Sequence, residues 1–208
     1  MNRESDENRA YRLLVVEDEP EHQLLIRKAL TREGTRFAQV QFARDSAEAT
    51  RFTRQMSFDA LLVDNRIPGT RGLDLLNELR ESGVEAPFVL MTAAGSEDLV
   101  VEAMRRRVAE YIVKDSGFWR DLPQRLERVI EADLRQRRET ELLGRLERTN
   151  ARLDKMREEL AARSERLLVL VSEARALVDG NGPDADGLSA GERERLTALL
   201  EAMQTLIE

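Results

Sequence analysis

The chain has no cysteine. That excludes a disulfide framework, thiol chemistry and thiolate metal sites. It has one histidine, His22, so Ser-His-Asp triads and multi-histidine metal sites are excluded unless His22 serves them. His22 follows a strand-like run at a helix start and reads as an ordinary surface or packing histidine. No apolar run approaches the roughly 20 residues needed to cross a bilayer. The opening MNRESDENRA is too polar for a signal peptide, so the expectation is a cytoplasmic protein with no membrane partner. With 33 Lys and Arg against 40 Asp and Glu, the net charge is -7. This disfavours a general binder of nucleic acid or anionic membrane.

What remains is a soluble pattern with 41% hydrophobic and 35% charged residues in 208. That suffices for one substantial core of roughly 120 residues plus something smaller. Up to about residue 120, short apolar runs alternate with amphipathic segments, the pattern of an α/β fold on a parallel sheet. Strands are predicted at 12–16, 37–42, 60–63, 88–91 and 111–113, and helices over 20–33, 46–56, 72–82 and 96–107. This is a doubly wound, five-stranded, flavodoxin-like sheet of order 2-1-3-4-5. The expected organisation is a flexible N-terminus over 1–10 and an α/β domain over 11–121, its last helix continuing to about 133. A long helix over 122–178, a loop over 179–189 and an amphipathic C-terminal helix over 190–208 follow.

In the long helix Leu146, Leu153, Leu160 and Leu167 lie seven apart, with Ala174 on the same spacing. A strict seven-residue repeat indicates a left-handed coiled coil. If these leucines are d positions, a is filled by Leu143, Asn150, Arg157, Ser164, Val171 and Val178. If they are a positions, d is Leu142, Thr149, Met156, Arg163, Leu170 and Leu177. Both registers are open, and both place an arginine in the seam. Ion pairs at i, i+4 are expected at Glu131–Arg135, Asp133–Arg137, Glu141–Arg145 and Glu159–Arg163. A helix over 122–178 would be roughly 85 Å long at about 1.5 Å per residue. Its leading reading is a homodimer seam, with an intramolecular bundle or a monomeric helix as alternatives.

The residues that carry chemistry stand at predicted strand ends. Glu17, Asp18 and Glu19 end the first, Asp64 the third, Thr92 the fourth and Lys114 the fifth. Open parallel sheets bind ligands beyond the carboxyl ends of their strands, at the switch point. Carboxylates gathered there repel one another and require a hard, oxygen-seeking cation such as Mg²⁺. A carboxylate oxygen is a competent phosphoryl acceptor. A transferring phosphoryl group needs its equatorial oxygens neutralised, a task for Mg²⁺ and the Lys114 ammonium, with the Thr92 hydroxyl as a further donor.

These residues lie in LLVVEDEP, LLVDNRIPG, LMTAAG and YIVKD. From about 10 to 130 the chain closely resembles the receiver domain of two-component response regulators, with the four motifs in order and at the usual separations. The resemblance implies phosphorylation of Asp64 by a histidine kinase. It also implies Mg²⁺ held by Asp18, Asp64 and the Arg66 backbone carbonyl, with Glu17 acting through water. Thr92 and Tyr111 would move together as a switch, and Lys114 would bind the phosphoryl group. One departure is Asp115, where many receivers carry a proline after a cis bond. A non-proline cis peptide costs about 2.5–4 kcal/mol, so this loop is expected to run trans.

Other readings are weaker. Phosphatases with an aspartate nucleophile resemble one another in carrying a second acid two residues on, and here that residue is Arg66. Residues 122–178 hold thirteen Arg and Lys against eleven Asp and Glu, interspersed, so no basic region marks a nucleic-acid partner. No histidine exists beyond His22 for a kinase output. The sequence therefore reads as a phosphoacceptor signalling protein, not an enzyme, whose output is a dimeric coiled coil acting on an unidentified downstream protein. The alternatives are a constitutively dimeric scaffold or phosphate sink, or a piece of a larger receiver-linked sensory protein.

Overall fold

The computed structural model describes residues 9–178, 187 and 189–207. The expected flexible N-terminus and the 179–189 loop lie almost wholly outside the described residues. The chain divides into two compact units, Met1–Arg138 and Glu139–Glu208.

Five strands build the first unit: β1 (Tyr11–Val16), β2 (Phe37–Ala43), β3 (Ala60–Asp64), β4 (Phe88–Thr92) and β5 (Glu110–Val113). They pair in parallel in the order β2-β1-β3-β4-β5, as the alternation of strands and helices predicts. The helices are α1 (Pro20–Leu30), α2 (Ser46–Gln55), α3 (Gly72–Glu81), α4 (Glu97–Arg105) and α5 (Leu122–Val178). Side chains alternate across a strand, so β1 feeds two cores. Leu13 and Val15 join Ile26, Leu30, Phe118, Leu122, Leu126 and Ile130 on one face. Leu14 and Val16 join Leu61, Val63, Leu73, Leu76, Leu79 and Leu90 on the other. Burying one such leucine stabilises the fold by about 1.5–3 kcal/mol. Strands covered on both faces must be apolar throughout, which is why these runs are legible in the sequence.

Local signals set the helix starts. The Asp45 side chain accepts from the Glu48 backbone N–H at 2.8 Å, and Ser96 from that of Leu99 at 3.2 Å. Each satisfies an orphan donor of a first turn. Pro20 opens α1, where its missing N–H costs nothing.

The first unit extends to Arg138, a turn or so beyond the expected limit near 133. The reason is long-range. Arg137 holds Glu85 at 3.1 Å, Leu134 packs against the β1 core, and Glu131 bonds Arg36 at 2.8 Å. Of the four expected i, i+4 pairs only Asp133–Arg137, at 2.6 Å, forms among the described residues. Glu131 is diverted to Arg36.

In the second unit, α5 runs unbroken through Gly144 to Val178. Helix α6 (Ala190–Ile207) begins with the capping box expected at Ser189. There Ser189 N–H donates to Glu192 Oε2 at 3.0 Å, and Glu192 N–H to Ser189 Oγ at 3.4 Å. Val171 and Leu200 are this unit's buried apolar residues among those described. No helix among the described residues is long and apolar enough to cross a membrane.

Candidate functional site at the carboxyl edge of the sheet

Strands β1, β3, β4 and β5 end side by side and bring Glu17, Asp18, Asp64, Thr92 and Lys114 to one edge. Carboxylate oxygens of Glu17, Asp18 and Asp64 all lie within 4.8 Å of one another. Glu17 and Asp64 are buried and Asp18 is half-buried. Between them sits the Lys114 ammonium, which donates to Glu17 Oε2 at 2.7 Å and to Asp64 Oδ2. Lys114 is placed by its backbone N–H, which bonds the Thr92 carbonyl at 2.8 Å. Glu17 is pinned through its own carbonyl by Gln23 Nε2 at 2.6 Å.

The loop after β3 shapes the other side. Arg66 N–H donates to Asp64 Oδ1 at 3.0 Å, fixing the rotation of that carboxylate. Arg66–Ile67 and Thr70–Arg71 then form a two-residue antiparallel ladder. Pro68 and Gly69 turn between them. Gly69 sits at φ 85°, a left-handed value that glycine adopts without steric cost.

Burial raises the Glu17 carboxyl above the ordinary glutamate range, assisted by the Asp64 charge and opposed by Lys114 and the His22 contact. Desolvation pulls the Lys114 ammonium down, but its bonds to Asp64 and Glu17 and their charges outweigh this and leave it raised. The signs differ in consequence. A raised lysine stabilises the fold below its unfolded pKa of about 10.4 and loses that contribution as pH rises through the folded value. A raised glutamate costs stability as pH climbs from about 4.3 through its folded pKa. Glu17→Gln should therefore raise the melting temperature of the metal-free chain near neutrality by about 2–5 °C. The gain should vanish in acid, and melting curves in chelator across pH check both.

A family model described as the response regulator receiver domain matches residues 13–127. The chain belongs to the receiver family. Among curated relatives, the receiver is 36% identical over 107 residues to the two-component response regulator PhoP of Pseudomonas aeruginosa, covering 51% of this chain and 46% of PhoP. It is 27% identical over 123 residues to the chemotaxis protein CheY of Bacillus subtilis, covering 59% of this chain and 94% of CheY. The match to the alginate biosynthesis transcriptional regulatory protein AlgB of Pseudomonas putida is 28% over 183 residues, covering 86% of this chain and 38% of AlgB. The chain thus spans less than half the length of PhoP and AlgB. Among solved structures, the response regulator TrrA of Thermotoga maritima, in complex with Mg²⁺-BeF, is 27% identical with a TM-score of 0.50, covering 57% of this chain and 98% of that one. The signal receiver domain of an HD domain-containing protein from Pseudomonas fluorescens Pf-5 shares the fold at 19% identity and a TM-score of 0.55, covering 62% of this chain and 93% of that one.

Receiver domains bind Mg²⁺, and the donor set here fits it: three hard carboxylates in reach of one small cation. The two residues expected to act as a switch lie in unlike surroundings. Thr92 is buried and its hydroxyl donates to the Ala94 carbonyl at 3.0 Å. The Tyr111 hydroxyl is buried and meets no hydrogen-bond partner among the described residues. The Lys114–Asp115 bond is trans, since the described chain has no cis peptide. Asp115 instead accepts from Gly117 N–H at 2.9 Å and starts the turn that leads to buried Phe118.

Two features escape the sequence reading. The first is Gly72, at the start of α3. A Cβ there would stand 2.6 Å from the Asp64 carbonyl oxygen and 3.0 Å from Leu90 Cδ1. Gly72→Ala should destabilise the first unit by about 1–3 kcal/mol and slow any chemistry at Asp64, measured by denaturant unfolding beside the labelling rate. The second is His22. Expected to be an ordinary histidine, it lies with Nδ1 3.3 Å from Glu17 Oε1, 3.1 Å from Glu19 Oε2 and 3.2 Å from Lys114 Nζ. Its only sequence signal is its place in the first turn of α1, directly after the β1 acids.

Proposed function

We propose that this chain is a two-component response regulator that accepts a phosphoryl group on Asp64 from a histidine kinase. The observation that carries the reading is the Lys114 ammonium bridging Asp64 and Glu17 beside Asp18. A nucleophilic carboxylate, a cation for the incoming oxygens and further acids for a metal thus share one edge.

An Asp64 oxygen attacks phosphorus in line. The O–P bond forms as the N–P bond of the kinase phosphohistidine breaks, and the imidazole leaves with the electron pair. Lys114 exchanges its bond to Asp64 Oδ2 for one to a phosphoryl oxygen, and the Thr92 hydroxyl turns from Ala94 to donate to another. Tyr111 then follows Thr92 as the switch. Asp18, Asp64 and the Arg66 carbonyl would hold Mg²⁺, with Glu17 acting through water; the ion, when bound, offsets the charge of the phosphoryl oxygens. The reaction is self-phosphotransfer and hydrolysis of the acyl phosphate, without turnover of another substrate. Incubation with Mg²⁺ and phosphoramidate should add one phosphoryl group, read by intact mass and mapped to the peptide holding Asp64. Label on any other residue sinks the assignment.

The output we propose is α5, acting as a homodimeric coiled coil in a cytoplasmic protein and engaging a downstream protein without nucleic acid or membrane. Supporting this, α5 leaves Leu146, Leu153 and Leu160 exposed at seven-residue spacing, while Leu167 is half-buried. Phosphorylation would alter the pairing of the receivers and thereby the register or splay of the coil. Scattering profiles that do not change with beryllofluoride and Mg²⁺ would leave the constitutive scaffold or phosphate-sink reading instead. The AlgB match runs 183 residues and so extends past the receiver match at 13–127, and it covers 38% of that longer protein.

A further inference from the structure

Near its C-terminal end, α5 is covered along one narrow stripe. Val171 is 6% exposed, and Ser164, Leu167 and Ala174 are half-buried, while the residues between them stand exposed. On α6, Leu200 is 8% exposed and Arg193, Leu196 and Met203 are half-buried. Both sets follow the spacing i, i+3, i+7, i+10, which is one face of a helix. A helix alone cannot hide a valine, and α6 is the other described helix of this unit. The covered stripe combines the repeating leucine positions with the column of Ser164 and Val171, so α6 uses one of the two candidate registers. We propose that α6 returns antiparallel along α5 and that a second copy of the chain docks on the flank left free. It would seat Leu142, Met156 and Leu170 beside the shared leucines, with Leu199 of α6 next to them. This rests on the reading of α5 as a homodimer seam.

Three observations support this face. The first is what each flank offers. On the free flank Leu142, Met156 and Leu170 are 65%, 49% and 59% exposed, with Thr149 and Arg163 between them. The flank that α6 occupies has only Leu143, Asn150 and Arg157 over its uncovered part, and two of these are polar groups costly to bury. The second is the side on which α6 adds to the face. In antiparallel helices meeting at Val171 and Leu200, a two-fold axis relates the pair, so the residue before each contact falls on the same side. Those residues are Leu170 and Leu199, and Leu199 is 63% exposed. The opposite side of α6 carries Thr197 and Glu201. The third is length. From Leu142 to Leu170 the face runs roughly 42 Å at about 1.5 Å per residue, on a seven-residue period. A second α5 has that length and that period, as a coiled-coil partner requires, and a two-fold pairing lets one face serve both copies. A short peptide would leave most of that length in water.

The test compares two double variants of the full chain with wild type by sedimentation equilibrium. One is Met156→Glu with Leu170→Glu, on the free flank; the other is Leu143→Glu with Asn150→Glu, on the flank of α6. All four positions are exposed in the single chain, so neither pair removes a buried contact within the protomer. Both pairs add the same charge, so general repulsion affects them alike. M156E/L170E should raise the dimer dissociation constant by about a hundredfold or more, and L143E/N150E by no more than about threefold. Leu199→Glu alone should raise it by about tenfold, which a seam made by α5 without α6 would not show. If the wild type is a dimer, the reverse order of the two pairs, equal effects from both, or an L199E dimer as tight as wild type overturns this inference alone. A wild type that is monomeric overturns the homodimer reading and this inference with it.

Discussion

Asp64→Asn should abolish phosphoryl uptake, lowering the labelling rate with phosphoramidate and Mg²⁺ by about three orders of magnitude or more. Asp64 is 6% exposed at the end of β3, and its two oxygens are already assigned: Oδ1 accepts from Arg66 N–H and Oδ2 from Lys114. The amide keeps the shape, and its oxygen can keep one of these bonds. It cannot act as the anionic nucleophile, and it removes one of the three carboxylates that recommend the site to a divalent cation. The fold should persist, because Lys114 retains Glu17 at 2.7 Å and the variant removes mutual repulsion among clustered acids. Intact-mass time courses of wild type and variant, each with a melting curve, separate lost chemistry from lost structure. Stoichiometric labelling of a folded D64N chain would move the acceptor elsewhere, with Asp18 the nearest candidate, and would end the Asp64 assignment.

How much of this was legible beforehand follows from the physics of each part. The sheet was legible because strands covered on both faces must be apolar along their length, and the runs at β1, β3 and β4 have no other use. The placement of the candidate residues was legible for the same reason: a polar residue directly after such a run lies at the carboxyl edge, where four of these strands converge. The strand ends were then off by a residue or so, as at Asp64 and Thr92, which are polar and yet still pair within β3 and β4.

His22, beyond its packing on Phe118, makes a contact with Lys114 that is not local and so was not legible. Its partner Lys114 lies 92 residues away, and a lone histidine in an amphipathic first turn has the same local pattern whether it faces water or an ammonium. The reach of the first compact unit to Arg138 was hidden in the same way, because Arg137 is bound to it through Glu85, 52 residues back. Glu131 looked like a partner for Arg135 until the fold brought Arg36 to it. Short-range pair rules lose when tertiary structure supplies a better partner.

The coil was legible as a repeat but not as a register, and one substitution pair turns that ambiguity into a measurement. Leu153→Glu with Leu160→Glu should convert a dimeric chain to a monomer. In one chain Leu153 is 48% and Leu160 62% exposed, so neither replacement removes a buried contact within the protomer. Both lie on the stripe shared by the two candidate registers, as d in one and a in the other, so the outcome does not depend on which is right. A leucine moving from water into a seam contributes about 1.5–3 kcal/mol, and two per protomer make four per dimer. Even half of that sum weakens association by more than about a hundredfold, since 1.4 kcal/mol is tenfold, and glutamates facing one another add repulsion. Light scattering coupled to size exclusion should give twice the monomer mass for wild type and the single mass for the variant. Phosphoryl labelling should be unchanged, because both positions lie in the unit beyond Arg138. A wild type already monomeric, or a variant that remains dimeric, would remove the homodimeric seam. The exposed leucines would then await a different protein, and the output of Asp64 would be sought in that complex.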